Sequence, residues 1–216
     1  MPGWRGLVRN GLAFSAGPSA WALARRAIVA HGAVQVVDEL SAFAKIVRGL
    51  RPRTLVEVGT AQGGVFWLLC RLAAADATLV SLDLPPLDRF SGGEKLSVDL
   101  QAMKRSKQTV LALHGDSHEP EMLHRLCEAL NQRPIDLLFI DGDHTYDGVR
   151  SDYSMYSPLV RRGGLIALHD IVKTPWQGCE VHRFWGELMA DRSLAPRAIV
   201  SRFPSHFGGI GKVTAR

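Results

Sequence analysis

The stretch TLVEVGTAQGG, residues 54–64, decides the fold of this chain of 216 residues. Its apolar and β-branched first half predicts a short buried strand. Gly59 and Gly63 then allow the backbone to turn tightly and to approach a ligand closely. A helix predicted over residues 63–74 would point its free N–H groups at that ligand. The same glycines would suit a turn that only joins a strand to a helix, so the stretch predicts an α/β unit with a candidate binding loop.

Further strands follow along the chain. Apolar, β-branched runs predict strands over residues 78–82, 109–113, 135–140 and 165–168. The last of these would come after a turn at Gly163 and Gly164, and two final strands, over 197–201 and 210–214, would form an antiparallel edge. Buried strands that alternate with helices are typical of a parallel sheet covered on both faces. Ligands of such sheets bind beyond the carboxyl ends of the strands.

Helical segments separate these strands and precede the first of them. Helices are predicted from Pro120 onward and over residues 36–50, 91–105, 145–157 and 180–189. The helix over 91–105 would begin with a capping box of Ser91 and Glu94, and Ser117 would cap the helix at Pro120. We divide the chain into an N-terminal helical extension, residues 1–50, and a main domain, residues 51–216.

The composition limits the class of protein. Hydrophobic residues make up 46% of the chain and charged residues 22%, as in globular domains rather than disordered segments. The basic residues behind the net charge of +5 are scattered, so nucleic acid is not expected as a partner. No apolar run approaches the ~18 residues of a membrane span, and glycines and serines interrupt the N-terminal segment, so a signal peptide is not expected. Three cysteines without C-x-x-C spacing indicate free thiols in a reducing compartment, and we expect a cytoplasmic protein.

Polar residues follow each of the first three strands. Asp83, after the second strand, would accept hydrogen bonds from a ribose diol or merely stabilise a turn. Asp116 and Ser117, after the third, would hydrogen-bond an adenine edge, and Ser117 could cap its helix at the same time. The first turn lacks the G-K-[ST] of a Walker loop, and Ala61 replaces the second glycine of G-x-G-x-x-G. These features favour a nucleoside-bearing ligand without a pyrophosphate.

Acids and histidines crowd the ends of the fourth and fifth strands. Asp141 and His144 follow the fourth strand, in FIDGDHTYDG, and His169 and Asp170 follow the fifth. Because such strands are usually neighbours, Asp141 and Asp170 would face each other across a cleft. Carboxylate oxygens suit Mg²⁺ or Ca²⁺, and an added imidazole tolerates Mn²⁺, Fe²⁺ or Zn²⁺. The cluster therefore predicts a divalent-cation site.

Part of this cluster also has a structural interpretation. Asp143 and Thr145 would cap the next helix, and Asp147 would lie solvated on its first turn, near the positive end of the helix dipole. His144 would act as a base or simply face solvent, and His169 would bind the cation or only fill space. Both alternatives stay open at this point.

The ordered motifs resemble those of class I S-adenosylmethionine-dependent methyltransferases. The motifs that carry the resemblance are LVEVGTAQGG, VSLDLP, HGDS, IDLLFIDGDHTYDG and RRGGLIALHD. They are similar to the small-molecule O-methyltransferases, and most closely to the branch called cephalosporin-hydroxylase-like, or methyltransferase family 24. The resemblance implies a doubly wound, Rossmann-like sheet of seven mostly parallel strands in the order 3-2-1-4-5-7-6. One antiparallel strand would lie near the C-terminus.

The resemblance also implies which residues bind the cofactor, S-adenosylmethionine. The first turn would shape the pocket for its methionine part, Asp83 would bind the ribose hydroxyls, and the HGDS segment would lie by the adenine. The residues so expected are Glu57, Gly59, Thr60, Ala61, Gly63, Asp83, Asp116, Ser117, His118 and Asp141.

The resemblance assigns the metal and the base by position. In metal-dependent catechol-type relatives, an aspartate after strand four binds Mg²⁺ and a lysine three residues later acts as the base. Asp141 and His144 occupy these places, and we expect both to act in catalysis. The ligand places after strand five fall on His169 and Asp170, so Asp141, His169 and Asp170 would hold a divalent cation, with Mg²⁺ the first choice. His144 and His169 depart from the catechol pattern.

The sequence thus predicts metal-assisted O-methylation of a hydroxyl on a small molecule, such as a sugar, polyketide, phenol or other secondary-metabolite intermediate. The alternatives are a non-catalytic S-adenosylmethionine-binding protein and a nicotinamide-dependent oxidoreductase, which the missing second glycine disfavours. The acceptor site would be formed by residues 1–50, 85–93 and 173–183, and a homodimer or larger homo-oligomer would form through the N-terminal helix.

Aromatic residues near the end of the fifth strand would wall the acceptor site. They are Trp176, His182, Phe184 and Trp185. In the alternative interpretation, Phe184 and Trp185 only pack a helix onto the core. Cys179 lies in the same segment, either as a reactive thiol or as a passive one.

Overall fold

A seven-stranded sheet forms the centre of the protein. The computed structural model describes residues 18–85, 98–202 and 208–216. Its strands are β1 (Thr54–Val58), β2 (Thr78–Asp83), β3 (Thr109–His114), β4 (Ile135–Ile140), β5 (Val160–Leu168), β6 (Arg197–Ile199) and β7 (Ile210–Thr214). Their order is β3-β2-β1-β4-β5-β7-β6, and only β7 pairs antiparallel to its neighbours. The predicted fold class and strand order are confirmed.

Helices cover both faces of this sheet. They are α1 (Ala20–His31), α2 (Val37–Leu50), α3 (Gly64–Leu72), α4 (Leu100–Met103), α5 (Pro120–Leu130), α6 (Tyr146–Tyr156) and α7 (Val181–Ala190). Helices α1 to α4 pack on one face, and α5 to α7 pack on the other. Strand β1 is buried along its whole length because Leu55 joins the first core and Val56 the second. A doubly covered central strand explains the unalternated apolar sequence of β1.

The described residues before α2 include a helix that apolar periodicity did not identify. Helix α1 is capped by Ser19, whose Oγ accepts a hydrogen bond from Ala22 N, and ends at Gly32 in the left-handed conformation. Its buried face consists largely of alanines, so the apolar pattern is weak. Helix α2 is strongly amphipathic, and its Phe43 contacts Phe139 of β4. The domain boundary at residue 50 stays a prediction.

Glu39 ties α2 to the C-terminal strands. Its side chain is almost completely buried, and its two carboxylate oxygens accept backbone hydrogen bonds from Ser201 N and Gly209 N, each at 2.7 Å. Both donors lie in the connection between β6 and β7. One acid thus satisfies two backbone N–H groups and holds the N-terminal helices against the far end of the chain.

The predicted turn before the fifth strand is wrong. Strand β5 begins at Val160, and Gly163 and Gly164 lie inside it. The register with β4 shifts between the pair of Ile135 with Val160 and the pair of Leu137 with Leu165. Gly163 has a φ of 76°, which glycine adopts without strain, so it can accommodate this irregularity in the strand.

Two capping predictions have different outcomes. Ser91 and Glu94 lie outside the described residues, so their capping box stays a prediction. The described helix α4 begins after Asp99, whose Oδ1 accepts from two backbone N–H groups. The cap predicted for Ser117 is wrong, because α5 begins after Glu119 without a side-chain cap. The carbonyl of Ser117 instead accepts a hydrogen bond from the hydroxyl of Tyr156 on α6.

Two further expectations concern cysteines and membranes. Cys70 and Cys179 are buried free thiols, and Cys127 is a partly exposed one. Within the described ranges, no helix combines the length and apolar character that a membrane span requires.

Replacing Glu39 tests whether it ties the two ends of the chain together. We expect Glu39→Ala to lower the free energy of unfolding by about 2–5 kcal/mol, because one buried and one partly buried N–H group lose their acceptor. Glu39→Gln keeps one carbonyl oxygen and should lose about half as much. Urea unfolding followed by circular dichroism measures both. Glu128→Ala, which removes a largely exposed carboxylate, is the control and should change stability by less than about 0.5 kcal/mol; equal losses in both alanine variants would contradict the role of Glu39.

Candidate active site

The glycine turn after β1 packs directly on the end of β4. Gly59 has a φ of 81°, and a Cβ at this position would lie 2.2 Å from the carbonyl oxygen of Asp141. Only glycine fits there. Gly63 caps α3, also with positive φ, so the tight turn predicted from the sequence is present. Ala61 adopts a φ of 47°, a left-handed conformation that costs an alanine about 1–2 kcal/mol.

Asp83 at the end of β2 holds this turn in place. Its Oδ2 accepts hydrogen bonds from Thr60 N at 3.1 Å and Ala61 N at 2.8 Å. Its Oδ1 accepts from Leu84 N at 2.8 Å. These bonds offset the strain at Ala61, so Asp83 has a structural task that the sequence did not indicate. Its ribose-binding role stays a prediction.

Glu57 places a buried carboxylate under the turn. Its side chain is 1% exposed, and its Oε2 makes no hydrogen bond to any described residue. Burial raises the pKa of Glu57 well above its usual range, and the nearby Asp141 and Asp83 raise it further, against a hydrogen bond from Thr60. A buried acceptor without a partner is costly, so this oxygen marks a place for a ligand that donates hydrogen bonds.

The four residues predicted at the ends of β4 and β5 come together, and we call them the acid-histidine cluster. His169 Nδ1 lies 3.1 Å from Asp141 Oδ1 and 3.4 Å from Asp170 Oδ2. His144 Nε2 lies 3.5 Å from Asp141 Oδ1 and 3.6 Å from Asp170 Oδ2. Each histidine therefore bridges both carboxylates. The parallel register of the two strands, which pairs Ile140 with Leu168, produces this arrangement.

Charge is balanced within the acid-histidine cluster. Burial lowers the pKa of His169, but the carboxylates of Asp141 and Asp170 raise it more, to about 10. The contact with Asp141 raises the pKa of His144. Burial acts to raise the pKa of Asp141, yet the two histidines hold it below its usual range. The carboxylates thus stabilise the protonated form of each histidine, as they would stabilise a bound cation.

The donor set also fits a cation. One ligand atom each from Asp141, His169 and Asp170 lies within 4.8 Å of the other two. Asp170 has a φ of 57° and is fixed by a hydrogen bond from Gly208 N to its Oδ1, at 3.1 Å. Its Oδ2 is thereby turned toward the histidines. Two carboxylates and one imidazole are ligands for Mg²⁺, Mn²⁺ or Fe²⁺.

Gln35 is a site residue that the sequence did not reveal. It lies between α1 and α2, and its Nε2 donates a hydrogen bond of 2.7 Å to Asp141 Oδ2. Its own Oε1 is buried without a partner among the described residues. The segment is held close to the glycine turn, because a Cβ on Gly64 would lie 2.2 Å from Ala33 N. Gln35 precedes every predicted strand, so no strand-end rule could have identified it.

One cavity joins these groups. The residues that line it are Gly32, Ala33, Val34, Gln35, Glu57, Gly59, Thr60, Ala61, Gln62, Gly64, Val65, Asp141, His144, His169, Asp170 and Trp176. Two predicted cofactor-binding residues, Gly63 and Asp83, are not among the residues that line the cavity. Of the predicted aromatic walls, Trp176 alone lines the cavity; Phe184 and Trp185 pack α7 onto the core, as the alternative interpretation proposed.

The segment predicted to lie by the adenine forms a second group. His118 Nδ1 lies 3.2 Å from Asp116 Oδ1, and His118 Nε2 lies 3.5 Å from Asp152 Oδ1 on α6. Asp152 is completely buried, and a Cβ on Gly142 would lie 3.6 Å from its Oδ2. Asp152 therefore sits between the loops that follow β3 and β4. Burial raises its pKa to about 6.

Asp152 was missed by the sequence reasoning, although a signal exists. Val149, Asp152 and Tyr156 recur at helical spacing and form the buried face of α6. An acid within an apolar stripe is unusual and indicates a buried polar contact. The predictions for the start of this helix are confirmed: Thr145 is its N-cap, Asp143 Oδ1 accepts from Thr145 N, and Asp147 lies in the first turn.

Comparison with known families gives one family match. The family model Methyltransf_24, described as a methyltransferase domain, matches residues 56–171. This range begins in β1 and ends just after Asp170. It contains every residue of the acid-histidine cluster, and Gln35 lies outside it.

Curated relatives are matched over part of their length. An uncharacterized protein, y4gI, of Sinorhizobium fredii is 27% identical over 68% of this chain and 16% of its own. Demethylmacrocin O-methyltransferase of Streptomyces fradiae is 32% identical over 41% of this chain and 22% of its own. The chain spans about half or less of the length of the curated relatives it matches.

Solved structures share the fold. The O-methyltransferase TomG from Streptomyces achromogenes, in complex with S-adenosylmethionine, has a TM-score of 0.62 at 17% identity and covers 93% of this chain and 91% of its own. The MycE methyltransferase, in complex with Mg and S-adenosylhomocysteine, has a TM-score of 0.60 at 15% identity and covers 92% of this chain and 53% of its own.

The raised pKa of Asp152 predicts a pH-dependent stability. An acid with a higher pKa in the folded than in the unfolded chain destabilises the fold as pH rises, because the folded state holds the proton longer. Between the ordinary pKa of 3.8 and the folded value of about 6, the protein should lose up to about 3 kcal/mol. Asp152→Asn should remove this loss, as measured by urea unfolding at a series of pH values.

The control for this measurement is Asp147→Asn, an exposed acid on the same helix. Its stability profile should run parallel to that of the unaltered protein. If the profile of Asp152→Asn also ran parallel to that of the unaltered protein, the assignment of the titration to Asp152 would be contradicted.

Proposed function

The chain belongs to the methyltransferase domain family whose model matches residues 56–171, and we propose that it transfers a methyl group from S-adenosylmethionine to a hydroxyl on a small molecule. One observation carries the proposal. A single cavity joins the glycine turn and the buried Glu57 to the acid-histidine cluster. This arrangement offers a place for a cationic donor next to groups that can position an acceptor oxygen and take its proton.

Glu57 and the glycine turn support donor binding. S-adenosylmethionine carries an ammonium group and a sulfonium, and the free Oε2 of Glu57 would accept a hydrogen bond from the ammonium. The backbone of Gly59 and Ala61 lines the cavity and allows close approach, and Asp83 retains a lone pair on Oδ1 for a ribose hydroxyl. The group around Asp116, Ser117 and His118 would lie by the adenine. The family disfavours the nicotinamide alternative considered from the sequence.

Methyl transfer requires little of the protein beyond alignment and proton removal. The sulfonium is a good leaving group, so binding must hold the acceptor oxygen in line with the methyl carbon. His144, with its Nε2 between two carboxylates at the cavity, is the proposed base. The contact with Asp141 raises the pKa of His144. A higher pKa makes the unprotonated imidazole a stronger proton acceptor.

Asp141, His169 and Asp170 would hold a divalent cation. The spacing and burial of their ligand atoms, and the balance of charge within the acid-histidine cluster, suit a doubly charged ion. When bound, such an ion supplies stabilisation of the acceptor oxygen as its proton leaves. Gln35 would keep Asp141 in position through its hydrogen bond to Oδ2, leaving Oδ1 for the cation. Mg²⁺ is the proposed ion, and the imidazole of His169 also admits Mn²⁺.

The cavity mouth suggests an acceptor with an apolar part. Val34 and Trp176 both line the cavity and are exposed by half or more. We propose a sugar, polyketide, phenol or other secondary-metabolite intermediate that presents its hydroxyl to His144. The names of two curated relatives, demethylmacrocin O-methyltransferase and mycinamicin VI 2''-O-methyltransferase, support small-molecule hydroxyls as the class. A homo-oligomer and a cytoplasmic location stay predictions.

Donor binding can be measured without knowing the acceptor. Isothermal titration should give a dissociation constant for S-adenosylmethionine in the micromolar range. Glu57→Gln should weaken binding at least 10-fold, because the ammonium of the ligand favours the ionised carboxyl of Glu57 and pairs with its charge, which an amide does not supply. The control is Glu128→Gln, which changes an exposed side chain on α5 that faces His124. This variant should bind S-adenosylmethionine as tightly as the unaltered protein does. Absence of binding at millimolar ligand would contradict the proposed function.

Cation binding is tested separately with Mn²⁺ as a paramagnetic probe. The metal-free protein should quench the electron paramagnetic signal of free Mn²⁺, and Asp141→Asn and Asp170→Asn should each weaken binding at least 10-fold. Asp116→Asn, outside the acid-histidine cluster, is the control. Methyl transfer to an accepted substrate should stop in EDTA and return with Mg²⁺. Full turnover in EDTA and in Asp141→Asn would refute the metal while leaving methyl transfer intact.

A further inference from the structure

We propose that His144, Asp170 and Cys179 form a zinc-binding site that overlaps the divalent-cation site. The site uses a thiol that methyl transfer does not need. Its occupation would block the reaction by engaging the proposed base. This inhibition rests on the proposed function, whereas the zinc site itself does not.

The geometry of the three side chains fits a tetrahedral ion. One ligand atom each from His144, Asp170 and Cys179 lies within 4.8 Å of the other two. His144 Nε2 and Asp170 Oδ2 are 3.6 Å apart. Bonds of about 2.0–2.3 Å to zinc place the ligand atoms of a tetrahedron roughly 3.3–3.8 Å apart. Only small side-chain adjustments would therefore close the site.

Backbone hydrogen bonds fix the segment that carries the thiol. Cys179 lies in the connection between β5 and α7, and its N–H donates to the carbonyl of Trp176 at 3.4 Å. The next residue, Glu180, donates its N–H to the carbonyl of His144 at 2.7 Å. The thiol and the imidazole are thus joined through the backbone. Gly208 N donates a hydrogen bond to Oδ1 of Asp170, so Oδ2 of Asp170 stays available for the ion.

The contacts of His144 with the two carboxylates are long enough for its Nε2 to exchange them for a metal ion. Its Nε2 is buried and makes no hydrogen bond within the described residues, since its carboxylate contacts are 3.5 and 3.6 Å long. Cys179 is also buried, at 7% exposure, and forms no disulfide. An ion at this place would satisfy the imidazole nitrogen, a carboxylate oxygen and the sulfur together.

The donor chemistry selects the ion. A thiolate, an imidazole and a carboxylate form a set that zinc accepts readily, whereas Mg²⁺ prefers oxygen ligands and does not take a thiolate. Binding breaks the S–H bond of Cys179 and, where His144 is protonated, the N–H bond at its Nε2, forms bonds from zinc to this sulfur and this nitrogen, and releases the protons to water. Because Asp170 belongs to both donor sets, zinc and Mg²⁺ compete. Because His144 is the proposed base, zinc removes the lone pair that would accept the proton.

Cobalt provides a spectroscopic probe of this site. Co²⁺ bound to a thiolate absorbs in the near ultraviolet through charge transfer, so metal-free protein titrated with Co²⁺ should develop this band and lose it when Zn²⁺ is added. The band should disappear in Cys179→Ser. It should persist in the control Cys127→Ser, which removes a partly exposed thiol outside the proposed site. Absence of the band in the unaltered protein, or its persistence in Cys179→Ser, would overturn the proposal.

Affinity and inhibition complete the test. Competition with a chromophoric chelator should show zinc binding at least 10-fold weaker in Cys179→Ser and in His144→Ala than in Cys127→Ser. Zinc should inhibit Mg²⁺-supported methyl transfer in Cys127→Ser at least 10-fold more strongly than in Cys179→Ser. Equal affinity, or equal inhibition, in the two serine variants would overturn the inference. Lack of S-adenosylmethionine binding would instead refute the proposed function and leave the cobalt result standing.

Discussion

Parallel pairing of β4 with β5 brings two carboxylates together where the sheet ends, and the surrounding structure compensates their charge. Asp141 and Asp170 follow paired strand ends, so their repulsion is built into the register. His144 and His169 each bridge both acids, and Gln35 donates to the remaining oxygen of Asp141. A pair of acids that the protein must neutralise with protons is also a pair that a cation can occupy.

The rest of the fold holds this charge cluster from both ends of the chain. The connection between α1 and α2 supplies Gln35, and the segment before β7 supplies Gly208, which fixes Asp170. Glu39 then joins α2 to Gly209, the neighbour of Gly208. The N-terminal helices and the last strand are therefore connected to each other as well as to the cluster. The sheet positions the acids, and these connections orient their oxygens.

Much of the fold and part of the site follow from local sequence. Central strands buried on both faces have continuous apolar sequences, so β1, β2 and β4 are visible, and strand-end rules then locate Asp141 and Asp170. Contacts distant in sequence are not visible in this way. Gln35 reaches Asp141 across 106 residues, and the bulge in β5 depends on its partner strand. The loop that contains Ser117 likewise makes a distant contact, because its carbonyl accepts a hydrogen bond from Tyr156, 39 residues away.

The bond between Glu39 and Gly209 has a consequence for biosynthesis. These residues are separated by 170 positions, so the contact forms only after nearly the whole described chain has left the ribosome. Gly208, which fixes Asp170, emerges at the same moment. Long-range contacts of this kind slow folding, and they form after the contacts between residues close in sequence. During translation Asp170 therefore lacks the hydrogen bond that orients its carboxylate until synthesis of this region is complete.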